Sequence, residues 1–508
     1  MNARKKGTVN LITSLVYKFI TVVIGLVLPK LFITTYGSEI NGLQSSVTQI
    51  FTCISLIEGG IGAATLQALY APVANDDKKK INAYLSATSV YYNRIGVIYF
   101  ILLAVIGIGY ALVVPVEGYS FSFVLLYIIF SGALSGINFF YLGKLKLLLS
   151  AKGDEYLVTV LTMCTFLATS TMKIVLIGMG VNIVILQACY LGINLLVTFV
   201  YYRIARKKYP WLSFREIPDN TCVEQKNSVL IHRISSIVFQ NIDVMLLTFI
   251  CGLKVVSIYT IYKMVVNTVT TIIATMGDSI QFFLGQTYNA GEDKTKYCRI
   301  IDIFNAYYSA ISFALFSVMF VLIIPFLRIY TEGMDQSYIY EALPYLYISI
   351  ELLTVGREAM VRTIEVAGHF KKTQWRAVAE SAINLTVSVI AIFICKHFFG
   401  DVGGLYGALI GTIVAMLYRT IDINIYANKH ILHRSCLKSF WVMGVNLITM
   451  LFTMFVMKPL VGVCNSYLSF LLKGFCITPI VLLISLFAQS VLNHREAKAM
   501  LQYLKKRT

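Results

Sequence analysis

Long apolar stretches separated by short polar connectors make up almost the whole chain. About 20 apolar residues in a helix, rising 1.5 Å per residue, cross the hydrocarbon core of a bilayer. Such stretches recur from one end of the 508 residues to the other. The pattern predicts about fourteen transmembrane helices and an all-α polytopic membrane protein. The predicted spans are 9–35, 41–70, 84–113, 121–142, 156–178, 183–202, 229–251, 256–285, 300–325, 340–366, 377–396, 403–427, 438–458 and 467–492.

Charge alternates between successive connectors and sets the expected orientation. Lys and Arg concentrate in the cytoplasmic loops of multi-pass proteins. Every second connector here is basic, and so are both ends of the chain, which predicts that both termini are cytoplasmic. The net charge of +18 follows mainly from this bias, so no nucleic-acid partner is needed to explain it. The outer connectors would then hold only Lys254, Arg328, Lys396 and Lys458.

The polar connectors show no chemistry of an enzyme or of a metal site. The longest, residues 203–227, is too short for a catalytic domain, and the first apolar run is too long for a signal peptide. Ten cysteines lack C-x-x-C spacing and fit apolar packing. His430 and His433 have no third ligand, and the pair Asp76–Asp77 resembles an ordinary helix start. We expect no catalytic residue, no metal site and no bound cofactor.

An internal repeat organises the predicted spans. The turn Asp77-Lys78 recurs 216 residues later as Asp293-Lys294, and Tyr91-Tyr92 recurs at the same offset as Tyr307-Tyr308. Six spans return the chain to its starting side, so the two repeats would be parallel. Transporters built from such repeats bind substrate between them, near the membrane midplane. The predicted domains are a six-helix half at 1–208, a cytoplasmic linker at 209–228, a second half at 229–430, and an appended helix pair with a basic tail at 431–508.

Polar residues form stripes on four of the predicted spans. At 100° per residue each stripe occupies one helix face. Such stripes fit either close helix packing or the lining of a cavity. On the second reading, Lys18, Glu58, Asp243 and Lys263 should border one solvent-reachable cleft between the halves. The stripes comprise Asn10, Ser14, Lys18, Thr21 and Gly25; Ser45, Thr48, Thr52, Ser55, Gly59 and Gly62; His232, Ser236, Gln240 and Asp243; and Glu351, Glu358, Arg362 and Glu365.

Several charged residues inside spans are candidate functional groups. A charge near the bilayer centre costs a few kcal/mol, at least about 2.5, so it usually faces a polar interior. Lys18, Lys263 and Arg357 have no obvious local partner, whereas Arg362 has Glu358 one helical turn away. We expect these four cations to bind substrate. The acids Glu58, Asp243, Asp278 and Glu358 are candidates for ion coupling or gating, or for pairing with the cations.

Several segments resemble one transporter family. Residues 36–42 (Tyr-Gly-Ser-Glu-Ile-Asn-Gly), followed by 58–64 (Glu-Gly-Gly-Ile-Gly-Ala-Ala), are similar to the first two helices of Wzx-type polysaccharide flippases. Residues 241–243 and 256–263 resemble that family's seventh and eighth helices, and 367–373 and 403–412 resemble segments further along. The resemblance covers roughly residues 8–430. The family belongs to the multidrug/oligosaccharidyl-lipid/polysaccharide exporter superfamily. Gly277-Asp278-Ser279 stands where many members carry proline.

The resemblance implies a flippase in the bacterial cytoplasmic membrane. It would move an undecaprenyl-pyrophosphate-linked oligosaccharide from the inner to the outer leaflet by alternating access, serving capsule or other surface polysaccharide biosynthesis. Glycosyltransferases and a polymerase would be partners, and the coupling ion would be a proton or sodium. Two alternatives stay open: a cation-coupled multidrug exporter of the same superfamily, and a membrane polysaccharide polymerase or ligase, against which the short outer connectors argue.

Overall fold

Helices make up nearly all of the described structure. The computed structural model describes residues 3–58, 61–214, 216–219, 239, 241–289, 294–462 and 464–505, and no strand occurs in these ranges. The helices are α1 Ala3–Tyr36, α2 Ser38–Ile54, α3 Ile61–Ala74, α4 Lys78–Val113, α5 Phe121–Phe140, α6 Leu142–Ala151, α7 Glu155–Gly178 and α8 Ile183–Lys208. They continue with α9 Asn241–Ile250, then α10 Leu253–Asn289, α11 Lys294–Tyr330, α12 Leu343–Val366, α13 Phe370–His430, α14 Leu437–Val461, α15 Tyr467–Leu492 and α16 His494–Lys505.

The all-α polytopic fold class is confirmed. Within the described ranges, 10 helices are long and apolar enough to cross a membrane. They cover eleven of the predicted spans, because α13 contains two of them. Of the other three, the span at 340–366 is the helix α12, whose charged residues lower its hydropathy. The span at 229–251 lies mostly outside the described residues and contributes α9.

The second predicted span is not one continuous helix. Helix α2 ends at Ile54, a 3-10 turn occupies Ser55–Glu58, and α3 begins at Ile61. The intervening sequence is Gly59-Gly60, and glycine is unfavourable in a helix by about 1 kcal/mol relative to alanine. The expected single stripe from Ser45 to Gly62 is therefore wrong, because α2 ends at Ile54 and α3 begins at Ile61, so one helical spacing does not run through all its members.

Helix α13 contains two segments that reverse direction at Gly400. This glycine has φ 68°, a left-handed conformation that side chains other than glycine rarely adopt. A methyl group on Gly403 would lie 2.2 Å from the carbonyl oxygen of Cys395, and one on Gly407 would lie 2.4 Å from that of Ala391. The backbones of the two segments touch because Gly403, Gly407 and Gly411 lack side chains. The glycine motif at 403–412 thus builds a tight helical hairpin.

The chain divides into two compact units, residues 1–257 and 258–508. In unit 1, α4 packs against α5 around the buried rings of Tyr92, Tyr99 and Tyr127. In unit 2, α11 packs against α12, α14 and α15. The predicted appended pair, α14 and α15, therefore joins unit 2 by lying against α11. The finer domain boundaries given above stay predictions.

Ion pairs occur between connector residues that the charge pattern assigned to the same side. Lys254 pairs with Glu117 at 2.8 Å in unit 1, and Lys396 pairs with Asp401 at 2.9 Å in unit 2. All these groups lie in connectors assigned to the outer face. Which face of the membrane they occupy stays a prediction.

The acidic pair at 76–77 has an ordinary structural role. The Asp77 side chain accepts a hydrogen bond from the Lys80 backbone N–H at 3.0 Å and caps α4. Asp76 pairs with Lys152 at 3.1 Å, and the hydrogen bond and charge of Lys152 lower the pKa of Asp76. The interpretation of these acids as a helix start is confirmed.

Candidate functional site

Unit 1 holds a polar site where the broken second span meets α4 and α6. The Tyr92 hydroxyl on α4 donates a hydrogen bond to Glu58 Oε1 at 2.8 Å. Lys146 on α6 lies within electrostatic range of the same carboxylate. On the next turn of α4 toward its start, Ser89 accepts a hydrogen bond from Lys144 Nζ at 2.8 Å. We call Glu58, Ser89, Tyr92, Lys144 and Lys146 the Glu58 site.

The two lysines of this site were missed by the sequence analysis, which placed them in a cytoplasmic connector. Helix α6 instead packs against α3, α4, α7 and α8, so both side chains are partly buried. Burial lowers the pKa of Lys144 and of Lys146, and the charge of Glu58 opposes this effect at Lys146. A signal was present: residues 142–149 form a short apolar run interrupted only by Gly143 and these two lysines.

Two glycines make room for the Glu58–Tyr92 hydrogen bond. A methyl group on Gly62 would lie 2.8 Å from Glu58 Oε1 and 3.0 Å from the Tyr92 hydroxyl. A methyl group on Gly143 would lie 2.4 Å from the Tyr92 ring. Any side chain at either position would displace the ring or the carboxylate.

Replacing Gly62 with alanine should disturb transport more than stability. The added methyl group displaces the Glu58 carboxylate and breaks a hydrogen bond worth about 1 kcal/mol, while the gain in helix propensity is of similar size. We expect an unfolding temperature close to that of the wild type and a clearly reduced transport rate. The matched control is Gly109→Ala in α4, where the new methyl group meets nothing within 4 Å. A Gly62→Ala variant as active as this control would contradict the importance of Glu58.

The other candidates of unit 1 lie on separate elements. Lys18 is exposed on α1, and Asp243 is buried on α9. Helix α9 is held to α2 by a hydrogen bond from Thr248 to Ser46 at 2.9 Å. The stripe residues His232, Ser236 and Gln240, and the side chains of Asn10 and Ser14, lie outside the described part of the structure.

In unit 2, Arg362 is surrounded by acidic and amide groups from α10 and α12. Its guanidinium donates to Glu358 at 2.8 Å and to Asp278 at 2.9 Å. Gln281 accepts from Arg362 at 3.3 Å and donates to Glu365 at 3.1 Å. We call these five residues the Arg362 cluster. The pairing of Glu358 with Arg362 is confirmed. Asp278, predicted to lie inside a span, has a side chain that is 65% exposed.

A second network, the ionic chain, joins α12 to both segments of α13. Arg357 pairs with Glu380 at 2.7 Å, and Arg419 pairs with Glu380 at 3.2 Å and with Asp422 at 3.0 Å. Arg376 also binds Asp422. Arg357 finds its partner Glu380 on a neighbouring helix, where helical spacing could not reveal it.

Lys263 lies near the α12 end of the ionic chain. Its ammonium donates to the Tyr259 hydroxyl at 3.1 Å and lies 5.1 Å from the centre of that ring. Glu351 on α12 is within electrostatic range of both Lys263 and Arg357. Tyrosine faces attract cations, so this arrangement holds Lys263 between a ring and a carboxylate.

The two units differ in how their interior cations are neutralised. In unit 2, carboxylates alternate with cations along both networks: Lys263, Arg357, Arg362, Arg376 and Arg419 face Asp278, Glu351, Glu358, Glu365, Glu380 and Asp422. In unit 1, Lys144 binds a hydroxyl and Lys173 lies 4.3 Å from the centre of the Tyr190 ring. Positive charge is therefore less neutralised around α6 and α7 than around α12.

No group of three or more His, Cys, Asp or Glu side chains that could hold a metal ion occurs in the described ranges. Glu58 accepts a hydrogen bond from a tyrosine, and Glu380 and Asp278 pair with arginines. This geometry suits binding of charged ligands and exchange of ion pairs.

No protein-family model matches the sequence. No curated protein matches it either. Solved structures do match. An inward closed conformation of the lipid II flippase MurJ superposes with a TM-score of 0.66 at 13% identity, covering 96% of this chain and 99% of that one.

Multidrug transporters also match the fold. An inward-facing MATE family transporter of the MOP superfamily has a TM-score of 0.61 at 16% identity, covering 82% of this chain and 98% of its own. A MOP superfamily transporter from Pyrococcus furiosus, described as having a binding pocket of reversed polarity, has a TM-score of 0.56 at 15% identity over 83% of this chain and 96% of its own. The chain is a multi-pass membrane protein with the fold found in MurJ and in MATE transporters.

Proposed function

We propose that the protein is a flippase for an undecaprenyl-pyrophosphate-linked oligosaccharide in the bacterial cytoplasmic membrane. It would carry the head group from the inner to the outer leaflet by alternating access, with both termini cytoplasmic. The polymer would be a capsule or another surface polysaccharide, assembled with glycosyltransferases and a polymerase. A pyrophosphate cannot enter hydrocarbon unaided, so the protein must replace its hydration with charged hydrogen-bond donors.

The Glu58 site carries this proposal. Lys144 and Lys146 are partly buried. Lys144 donates a hydrogen bond to the Ser89 hydroxyl, and a single carboxylate, that of Glu58, lies within electrostatic range of Lys146. A diphosphate entering this site could accept hydrogen bonds from both ammonium groups without breaking a buried arginine–carboxylate pair. Lys18, Lys263, Arg357 and Arg362 remain proposed substrate contacts. Arg357 and Arg362 could engage only by exchanging their present carboxylate partners for phosphate.

One observation favours a second candidate, the cation-coupled multidrug exporter. The Arg362 cluster has three carboxylates for one guanidinium, and the buried ring of Tyr308 lies beside it. Acidic and aromatic groups are what a cationic drug requires. The fold is compatible with either function, since both a lipid flippase and MATE transporters share it.

Binding of the lipid head group tests the proposal. Purified full-length protein should bind undecaprenyl pyrophosphate much more tightly than undecaprenol, which has the same chain without charge. With at least one charge-assisted hydrogen bond, worth roughly 1.5–3 kcal/mol, the affinity ratio should be about 10- to 150-fold. Equal binding of both lipids would contradict the proposal, and tighter binding of a cationic dye would favour the exporter.

Transport should depend on pH or sodium through the acids Glu58, Asp243 and Asp278. Acids inside transporters often relay protons or ions, and Glu58 accepts a hydrogen bond from a tyrosine hydroxyl, whereas Asp278 pairs with Arg362. Glu58→Gln should therefore weaken the ion dependence most. Asp278→Asn should act chiefly by loosening Arg362. Survival of the full ion dependence in Glu58→Gln, Asp243→Asn and Asp278→Asn would rule out their coupling role.

A further inference from the structure

A cavity of about 580 Å³ in unit 2 lies outside both networks described above. It is formed by the first turns of α11, the residues around the start of α14, and α16. These segments lie at the connectors that the charge pattern assigns to the cytoplasm. The lining includes Thr295, Cys298, Arg299, Asp302, Ile303, Leu432, Lys438, Arg495, Glu496, Lys498 and Ala499.

The two acids of this cavity are already paired. Asp302 binds Arg434 at 2.7 Å and Lys438 at 2.7 Å, and Lys438 also binds Glu496 at 2.5 Å. Lys438, at the start of α14, therefore connects α11 to α16 through these two ion pairs and holds both helices at the cavity. Asp302 is partly buried and Glu496 is buried, and these ion pairs neutralise both carboxylates within the protein.

Three further cations at the cavity take no part in these pairs. Arg299, Arg495 and Lys498 are exposed, and the structure assigns them no ion pair within its described ranges. Together with Lys438 they give the cavity a surplus of positive charge. Such a surplus attracts an anion.

The surroundings of the cavity indicate what kind of anion it would take. Helix α16 follows the membrane-spanning helix α15 after one residue, and Ala497, Met500, Leu501 and Leu504 recur in its sequence at helical spacing. An amphipathic basic helix in this position is typical of the membrane interface. Phe487 and Val491, at the end of α15 that leads into α16, are exposed apolar side chains. A ligand with both a phosphate and acyl chains would fit the cavity and this adjoining surface.

We propose that this cavity binds the phosphate head group of an anionic phospholipid of the inner leaflet, with the acyl chains along α15. Basic cavities between membrane helices on the cytoplasmic side are suited to such head groups. The lipid would hold α16 against α11 and α14. The proposal is independent of the transported substrate, because it uses none of the residues assigned to transport.

The test uses full-length protein in neutral detergent and measures binding of a short-chain phosphatidylglycerol. The variant Arg299→Gln/Arg495→Gln/Lys498→Gln removes three charges without removing any partner of Asp302 or Glu496. Each basic residue near an anionic lipid contributes about fivefold to binding, so the triple variant should bind about 100-fold more weakly. The matched control is Lys429→Gln, an exposed cation at the end of α13 outside the cavity, which should bind as the wild type does.

Three further ligands separate a lipid site from a general anion site. Phosphatidylcholine, with no net charge, should bind at least tenfold more weakly than phosphatidylglycerol. Glycerophosphoglycerol, the same head group without acyl chains, should bind weakly, as should inorganic phosphate. Equal binding of phosphatidylglycerol to the triple variant and the control would overturn the proposal. So would binding of inorganic phosphate as tight as that of the lipid.

Discussion

Replacing Arg419 with leucine should destabilise unit 2 by about 3–5 kcal/mol. Arg419 is only 10% exposed and stands between Glu380 and Asp422, which are 11% and 13% exposed. Removing one member of a buried ion pair leaves an uncompensated charge, which costs about this much. Here two carboxylates lose a partner at once, but Glu380 keeps Arg357 and Asp422 keeps Arg376, so a loss at the lower end of this range is expected. The measurement is the unfolding temperature of the purified protein, together with its yield in the membrane.

The control for Arg419 lies on the same helix. Lys396 pairs with Asp401 at 2.9 Å, but both side chains are largely accessible, at 37% and 62%. Exposed pairs contribute about 0–1 kcal/mol. Lys396→Ala should therefore leave the unfolding temperature almost unchanged. If Arg419→Leu behaved as Lys396→Ala does, the ionic chain would not be a stabilising feature of unit 2.

Replacing both Lys144 and Lys146 with alanine should reduce translocation at least 100-fold. Each charge-assisted hydrogen bond to a diphosphate is worth roughly 1.5–3 kcal/mol, and the double variant loses two. Arginine at both positions keeps the charge with different geometry and should retain much more activity. Lys152→Ala, which removes the partner of exposed Asp76, is the control for lost charge at the end of α6.

Lys144 and Lys146 can be compared directly with the cations predicted from the sequence. Alanine variants of Lys18, Lys263, Arg357 and Arg362 should also lose translocation if those residues contact the head group. In Arg357→Ala and Arg362→Ala, however, the carboxylates of Glu380 and Glu358 lose a partner. Their unfolding temperatures must therefore be measured alongside transport. Full translocation in the Lys144/Lys146 double variant would remove the Glu58 site from the mechanism.

Helical spacing predicted the helices and the contacts within a helix. The apolar stretches gave the fold class, and the i, i+4 spacing of Glu358 and Arg362 gave a real ion pair at 2.8 Å. Contacts between helices were not accessible in this way. Glu380 is separated from Arg357 by 23 residues and lies on another helix, so the sequence alone left Arg357 without a partner.

Short irregular segments were the other source of error. The 3-10 turn Ser55–Glu58 separates α2 from α3 within a run whose only charged residue is Glu58, so hydropathy alone predicted a continuous span. Likewise, α6 has only 10 residues, too few to register as a span, and its lysines were counted as part of a hydrated connector. Packing of α6 against α4 buries these lysines in part, and hydropathy does not predict which segments pack together.

Translocation in reconstituted liposomes tests the central claim most directly. Vesicles carrying an undecaprenyl-pyrophosphate-linked oligosaccharide in the inner leaflet would be probed with a membrane-impermeant glycosidase or lectin added outside. The account predicts protein-dependent exposure of the oligosaccharide, reduced at least 100-fold in Lys144→Ala/Lys146→Ala and retained in Gly109→Ala. The contradicting result is no exposure of the oligosaccharide by folded wild-type protein that, in the same vesicles, moves a cationic dye in response to a proton or sodium gradient.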